Sequence, residues 1–133
     1  MKKIASRLLL LLCLVALPAC HGVEKRVGST AEDFLKAYYS ADYAKAASFC
    51  TPAFAGQVGK GAQVMDRVPD EIIQKMKEAV SQTSFKVVSV EVDKEAGKAV
   101  VHYELTAPTL DKPMPKRLLL QLEGRAAAVD GIE

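Results

Sequence analysis

The chain of 133 residues contains no tryptophan, only three cysteines and two histidines, and almost balanced acidic and basic side chains. It also lacks a long apolar run: residues 8–17 are continuously apolar, but a helix that spans a bilayer needs about 20 such residues. A permanent transmembrane anchor is therefore disfavoured. So few histidines and cysteines predict no metal site, and no catalytic motif or cofactor-binding motif stands out, so we expect no cofactor.

The first 20 residues follow the order of a bacterial secretory signal: a basic start, a short apolar run and small residues before the cut. Residues 17–19 (Leu-Pro-Ala) lead directly to Cys20. This arrangement resembles the lipobox of bacterial lipoproteins, in which the cysteine is acylated and becomes the first mature residue. The resemblance implies a signal peptide over residues 1–19 and lipid attachment, such as palmitate, at Cys20. Ordinary cleavage after Ala19, without lipid, is the alternative.

A lipid at this cysteine would make the membrane a partner of the chain, because each buried methylene contributes about 0.8 kcal/mol. The next residue is His21, so the acidic residue of an inner-membrane retention signal is absent. We therefore expect a lipid-anchored protein of the bacterial cell envelope, with the outer membrane favoured over the inner.

The chain after the leader is nearly neutral. Three of the 18 Lys and Arg residues lie in the leader, so 15 remain against 16 Asp and Glu, and the net charge is −1. Because the two signs are mixed along the chain, we predict no nucleic-acid partner. Cys50 is then the one free thiol, and its apolar helical surroundings in the sequence favour a core residue over a nucleophile.

The N-terminal half of the mature chain has helical periodicity. Residues 20–29 are predicted to be the lipidated cysteine and a flexible polar tether, and residues 30–133 a single domain. Thr30 is the predicted N-cap of a first helix whose apolar face consists of Phe34, Leu35, Tyr38 and Tyr39. Asp42 is predicted to cap a short second helix.

A third helical segment is harder to predict. Thr51 and Pro52 either end the second helix or cap another, and residues 55–68, which contain three glycines, are predicted to be loop with short helical or strand pieces. The clearest helix is expected over residues 70–83, with a buried stripe of Ile72, Ile73, Met76, Ala79 and Val80.

After this helix, apolar residues recur at every second position, which is typical of strands. Val88, Val90 and Val92 alternate with polar residues, and the alternation returns near Lys98, Arg117 and Ala127. Helices followed by an antiparallel meander predict an α+β fold, with N-terminal helices packed on one face of a curved antiparallel sheet. The other face is predicted to be more polar, apart from Val100 and Leu119, and offers a surface for a homodimer.

The order of elements is similar to the nuclear-transport-factor-2-like superfamily, with its cystatin-like cone. More narrowly, residues 31–47 (AEDFLKAYYSADYAKAA) and the closing hairpin from Lys116 to Gly131 resemble the bacterial lipoprotein family called domain of unknown function 4878. One departure is Ala126-Ala127-Ala128, where such domains usually carry an aromatic residue. The resemblance implies a pocket between the helices and the concave sheet.

The candidate pocket residues are aromatic and aliphatic side chains predicted to face this cone: Tyr38, Tyr39, Val101, Tyr103 and Leu120. They predict either a solid core or a pocket for a small apolar or amphipathic molecule. An isomerase-like or dehydratase-like enzyme is the alternative, but it needs a buried carboxylate base, and His102 and Glu104 alternate to the opposite face. We therefore expect a non-catalytic module that binds a small molecule or another envelope protein.

Overall fold

The computed structural model describes residues 22–124 and 126–133, and in this part of the chain helices precede strands. The helices are α1 (residues 22–39), α2 (Tyr43–Ala47), α3 (Pro52–Asp66) and α4 (Asp70–Ser81). The strands are β1 (Ser84–Asp93), β2 (Lys98–Thr106), β3 (Met114–Glu123) and β4 (Ala126–Ile132). The predicted signal peptide over residues 1–19 and the predicted lipid at Cys20 lie outside the described residues.

Helix α1 already includes residues 22–29, so the predicted flexible tether is corrected to helix over those positions. Thr30 lies inside α1 and is not its N-cap. The physical reason is an apolar series at four-residue spacing, Val23, Val27, Ala31 and Leu35, which continues the core-facing stripe of the helix towards the N-terminus. Val27 is fully buried and Val23 packs against the core, so this segment is held by packing.

Helix α1 ends in a Schellman motif built without glycine. The Asp42 amide donates to the Ala37 carbonyl at 2.9 Å, and the Ala41 amide donates to the Tyr38 carbonyl at 3.2 Å. Ala41 takes φ +62°, the left-handed conformation that this motif requires. As predicted, Asp42 then caps α2, its side chain accepting from the Lys45 amide.

Helix α3 replaces the loop predicted over residues 55–68. Thr51 is the N-cap and Pro52 occupies the first turn, both favourable starts for a helix. The glycines suggested a loop, but Gly61 lies against Tyr43, whose ring carbon Cγ would be 3.2 Å from a Cβ added at Gly61. A larger residue there would have to displace the Tyr43 ring by a few tenths of an ångström, so glycine suits the close approach of α2 and α3.

Helix α4 forms where it was predicted, but its predicted buried stripe is wrong. None of its residues is buried, and Ile72 is 49 % exposed. Ile73, Met76 and Val80 are only partly covered. The sequence pattern correctly indicated an amphipathic helix, whereas the structure leaves most of its apolar face without a covering layer in the described part of the chain.

The four strands form one antiparallel sheet in the order β1-β2-β3-β4. Leu118, Leu120 and Leu122 of β3 face the helices, as their alternation predicts. In β1 the prediction is corrected: a bulge between Val87 and Ser89 shifts the register, and Val88 points away from the core, 56 % exposed. An unpaired extra residue of this kind reverses which side of the sheet the following residues occupy.

The core lies between the helices and one face of the sheet, which confirms the predicted α+β class. Its largest fully buried side chains come from α1 and from the middle of the sheet: Val27, Phe34, Leu35, Val101, Tyr103, Leu118, Leu120 and Val129. Helix α3 joins β4 through Thr51, whose amide donates to the Val129 carbonyl at 2.8 Å. Helix α1 therefore supplies much of the core that covers the sheet, whereas α4 supplies no buried residue.

Candidate functional site

Two tyrosine hydroxyls meet where α1 crosses the sheet. Tyr39 Oη lies 3.0 Å from Tyr103 Oη, within hydrogen-bonding distance. Tyr103 comes from β2 and is 1 % exposed, whereas Tyr39 is only partly buried. The alternation of β2 explains this placement, since Ala99, Val101 and Tyr103 all face the helices.

Both phenols of this pair are held in the protonated form. Burial raises the pKa of Tyr103 strongly, and its hydrogen bond with Tyr39 raises it further. Burial also raises the pKa of Tyr39. At neutral pH each hydroxyl can therefore donate or accept a hydrogen bond, and neither acts as a base.

A pocket of about 550 Å³ opens beside Tyr39, between the C-terminal ends of α1 and α4 and the start of β1. We call it the α1–α4 pocket; its lining comprises Lys36, Tyr39, Ser40, Lys77, Val80, Ser81, Thr83, Ser84 and Phe85. The volume lies within the range of small-molecule sites, roughly 300–1,000 Å³. The rings of Tyr39 and Phe85 are adjacent, with centroids 6.3 Å apart.

The lining of the α1–α4 pocket combines apolar groups with two cations. Lys36 comes from α1 and Lys77 from α4, and the lining includes no carboxylate and no imidazole. The lining thus places two ammonium groups and several hydroxyl groups beside an apolar surface.

Two smaller openings flank α2. One of about 330 Å³ is lined by Tyr38, Tyr43, Phe54 and three neighbours in α3; the other, of about 320 Å³, has a mixed lining that includes Asp33, Lys36, Asp42 and Lys45. The first contains a T-shaped contact between Tyr38 and Tyr43, with ring centroids 5.7 Å apart. Burial raises the pKa of Tyr38.

The five predicted pocket residues are thus divided between different surroundings. Tyr39 lines the α1–α4 pocket and Tyr38 lines the aromatic opening beside α2. Val101, Tyr103 and Leu120 lie in the packed core, at most 2 % exposed. Sequence reasoning missed Phe85, because the bulge in β1 hid the start of the strand, and it missed both lysines, because charged residues on helices are usually solvated.

Cys50, predicted to be a core residue, is partly buried and packs against the core. Its thiol donates to the Ala46 carbonyl at 3.2 Å. Burial raises its pKa to about 11. The thiol is therefore almost entirely protonated at neutral pH and is a poor nucleophile.

The outer face of the sheet carries one polar contact of interest. His102 Nε2 lies 3.6 Å from Glu91 Oε2, and it is buried without a hydrogen-bond partner among the described residues. Val100 and Leu119 are paired across β2 and β3 on this face and remain partly exposed. As predicted, His102 and Glu104 point away from Tyr103.

Residues 22–124 and 126–133 contain no cluster of three or more His, Cys, Asp or Glu residues that could hold a metal ion. Over the same residues, no helix has the length and apolar character required to cross a bilayer.

Two solved structures of known proteins are similar to the chain. The solution structure of a SEC-C motif containing protein from Rhodopseudomonas palustris is similar at 8 % identity and a TM-score of 0.43, over 74 % of this chain and 70 % of that one. A nuclear-transport-factor-2-like protein of unknown function from Cytophaga hutchinsonii is similar at 9 % identity and a TM-score of 0.39, over 78 % of this chain and 85 % of that one. No protein-family model matches the chain, and no curated protein matches it.

Proposed function

We propose that the chain is a lipid-anchored protein of the bacterial envelope whose folded part binds a small molecule and catalyses no reaction. The observation that carries the binding role is the α1–α4 pocket, where the Tyr39 and Phe85 rings and Val80 adjoin two lysines, with no carboxylate or imidazole in the lining. A concave, mostly apolar site with a few polar groups is the usual form of a small-molecule site.

The anchoring role rests on the leader and on Cys20. The basic start, the apolar run and the small residues before the cysteine support export and acylation. The similarity of residues 31–47 and of the closing hairpin to family 4878 belongs to the same proposal. So does the assignment to the nuclear-transport-factor-2-like superfamily.

Native mass spectrometry of the full chain, extracted gently from its membrane fraction, tests the binding role. We expect an added mass that disappears on denaturation. Val80→Trp places a bulky ring in the pocket and should remove the added mass. Ile72→Trp adds the same ring to the exposed face of α4, outside the pocket lining, and should keep it. Equal retention by both variants contradicts binding in the α1–α4 pocket.

Radiolabelled palmitate tests the anchoring role. Cys20→Ser should abolish incorporation of the label and release the protein from the membrane fraction, whereas Cys13→Ser, which changes a leader cysteine, should leave both unchanged. Labelling of the Cys20→Ser variant at the wild-type level contradicts lipid attachment at this residue.

An isomerase or dehydratase is the second candidate function, and the Tyr39–Tyr103 pair favours it, because paired hydroxyls can stabilise an oxyanion. Such an enzyme also needs a base, and the pocket lining offers no carboxylate or imidazole for that role. A third candidate is a protein contact through the outer face of the sheet, either with an envelope protein or in a homodimer, favoured by the partly exposed Val100 and Leu119. Crosslinking in intact envelopes through cysteines placed at Ser89 distinguishes a sheet-face contact from ligand binding.

A further inference from the structure

The positive charge of the α1–α4 pocket comes from two different helices. Lys36 on α1 and Lys77 on α4 both line it. Neither lysine forms a salt bridge with any residue in the described part of the chain. A ligand that enters this pocket therefore meets two ammonium groups whose charges are not already neutralised by a bonded carboxylate.

The hydroxyl groups around the same pocket are mostly engaged as donors. Ser40 donates to the Ala37 carbonyl at 3.0 Å, and Ser81 donates to the Glu78 carbonyl at 2.6 Å. The Tyr39 hydroxyl is shared with Tyr103. Because each hydroxyl has a single hydrogen to donate, these groups have little left for an acceptor on a ligand. The two ammonium groups are thus the charged hydrogen-bond donors of the pocket.

The remaining surface of the pocket is apolar. The rings of Tyr39 and Phe85 lie side by side, inclined by 33°, and Val80 lines the same pocket from α4. An apolar body that covers these side chains removes their exposed carbon surface from water, which is favourable by about 25 cal/mol for each Å² buried.

The neighbouring opening beside α2 has a different charge pattern. Lys36 also borders that opening, but there Asp33 and Asp42 accompany Lys36 and Lys45. Two carboxylates offset two ammonium groups, so an anion gains little on that side. The attraction for an anion is therefore confined to the α1–α4 side of Lys36.

We infer that the ligand of the α1–α4 pocket is a small single-chain amphiphile with an anionic head, a carboxylate or a phosphate. Lys36 and Lys77 bind the head, and Tyr39, Val80 and Phe85 contact the apolar chain. This inference rests on the proposed binding function and adds the ligand class to it. The ammonium groups fix the sign of the head without fixing its geometry, because a lysine acts as a flexible point charge.

The test is isothermal titration calorimetry of the full-length protein, held in phosphatidylcholine nanodiscs. The three probes, octanoate, octanol and octylammonium, have the same number of carbon atoms. Empty nanodiscs serve as the blank for partition into lipid. We expect octanoate to bind about tenfold more tightly than the other two, since only its carboxylate forms charge-assisted hydrogen bonds with the two lysines. Octyl phosphate in place of octanoate then shows which anionic head is preferred.

Two double variants provide the matched comparison. Lys36→Gln with Lys77→Gln should reduce octanoate affinity to that of octanol and leave octanol binding unchanged. Lys45→Gln with Lys75→Gln removes the same charge from α2 and α4 outside this pocket, and should keep the preference for octanoate.

The possible results test the anionic ligand class and the proposed binding function separately. Equal affinity for all three probes overturns the anionic ligand class and leaves a pocket that binds apolar chains. Loss of the octanoate preference in the Lys45→Gln, Lys75→Gln variant also overturns it, because the effect would then come from net charge. Absence of binding by every probe contradicts the proposed binding function itself.

Discussion

Thr51 and Asp130 are 79 positions apart in the chain, yet the Thr51 hydroxyl donates to Asp130 Oδ1 at 2.8 Å. Thr51 Oγ1 in turn accepts a hydrogen bond from the Phe54 amide at the start of α3, at 3.4 Å. Asp130 lies at the irregularity of β4, between the residues that pair with Leu119 and Leu120. One buried side chain therefore both caps a helix and fastens that helix to the edge of the sheet.

Thr51→Val should destabilise the fold by about 1–2 kcal/mol, because it removes the cap and a hydrogen bond while keeping the size of the side chain. Thr51→Ser keeps the hydroxyl and should cost less than half as much. Urea unfolding followed by circular dichroism measures both. A Val variant as stable as the Ser variant would show that the hydroxyl adds nothing to the fold.

Removing the Tyr39 hydroxyl and removing the Tyr103 hydroxyl should lower the stability of the fold by different amounts. Tyr39→Phe leaves the Tyr103 hydroxyl unpaired in the core and should cost about 1–3 kcal/mol. Tyr103→Phe leaves the Tyr39 hydroxyl near the pocket, where water can replace its partner, and should cost about 0.5–1.5 kcal/mol. The double variant leaves no hydroxyl without a partner, so its loss of stability should be smaller than the sum of the losses in the two single variants. Additive losses in a double-mutant cycle would contradict a direct bond between them.

The thiol of Cys50 should react slowly with a disulfide reagent and accelerate steeply with pH. Because burial holds its pKa at about 11, the thiolate fraction, and with it the rate, should rise about tenfold per pH unit between pH 7 and 10. A chain with Cys13→Ser and Cys20→Ser isolates this thiol. Adding Cys50→Ser and Lys75→Cys to that chain gives an exposed thiol on α4, whose rate should level off near pH 8.5. A plateau for Cys50 at that same pH contradicts the effect of burial.

Ala41→Gly should stabilise the fold by about 0.5–1 kcal/mol, since a residue with a Cβ is strained in the left-handed conformation that Ala41 adopts. Ala44→Gly, one turn later in α2, should have the opposite sign, because glycine is unfavourable inside a helix. Thermal unfolding of both variants checks the signs. A lower melting temperature for Ala41→Gly would mean that the turn is not under strain.

Much of the architecture could be predicted from local signals. The alternation in β2 and β3 correctly places Val101, Tyr103 and Leu118 on the core face, and the cap at Asp42 correctly begins α2. The extra residue at Val88 could not be predicted, because a bulge depends on how two strands pair, and one strand alone does not reveal it.

The wrong predictions for the start of α1 and for the burial of α4 have a related cause. The prediction of a tether over residues 22–29 gives weight to the polar residues there, whereas Val27 lies in the core and Val23 packs against it. The stripe on α4 was recognised, but its burial depends on whether another layer lies against it, and amphipathicity alone does not provide that layer. The pocket lysines were missed for the same reason, since only the folded chain brings Lys36 and Lys77 to one opening.

The contact between the Phe49–Thr51 segment and β4 also limits how the sheet can grow. Edge strands expose unpaired amides and carbonyls and can recruit strands from other molecules into fibres. At β4 the Val129 amide donates to Phe49 and its carbonyl accepts from Thr51, both at 2.8 Å. At Val129 that edge is therefore already paired with the chain's own backbone. The opposite edge, β1, carries a bulge, so self-assembly by strand addition is hindered at both sides of the sheet.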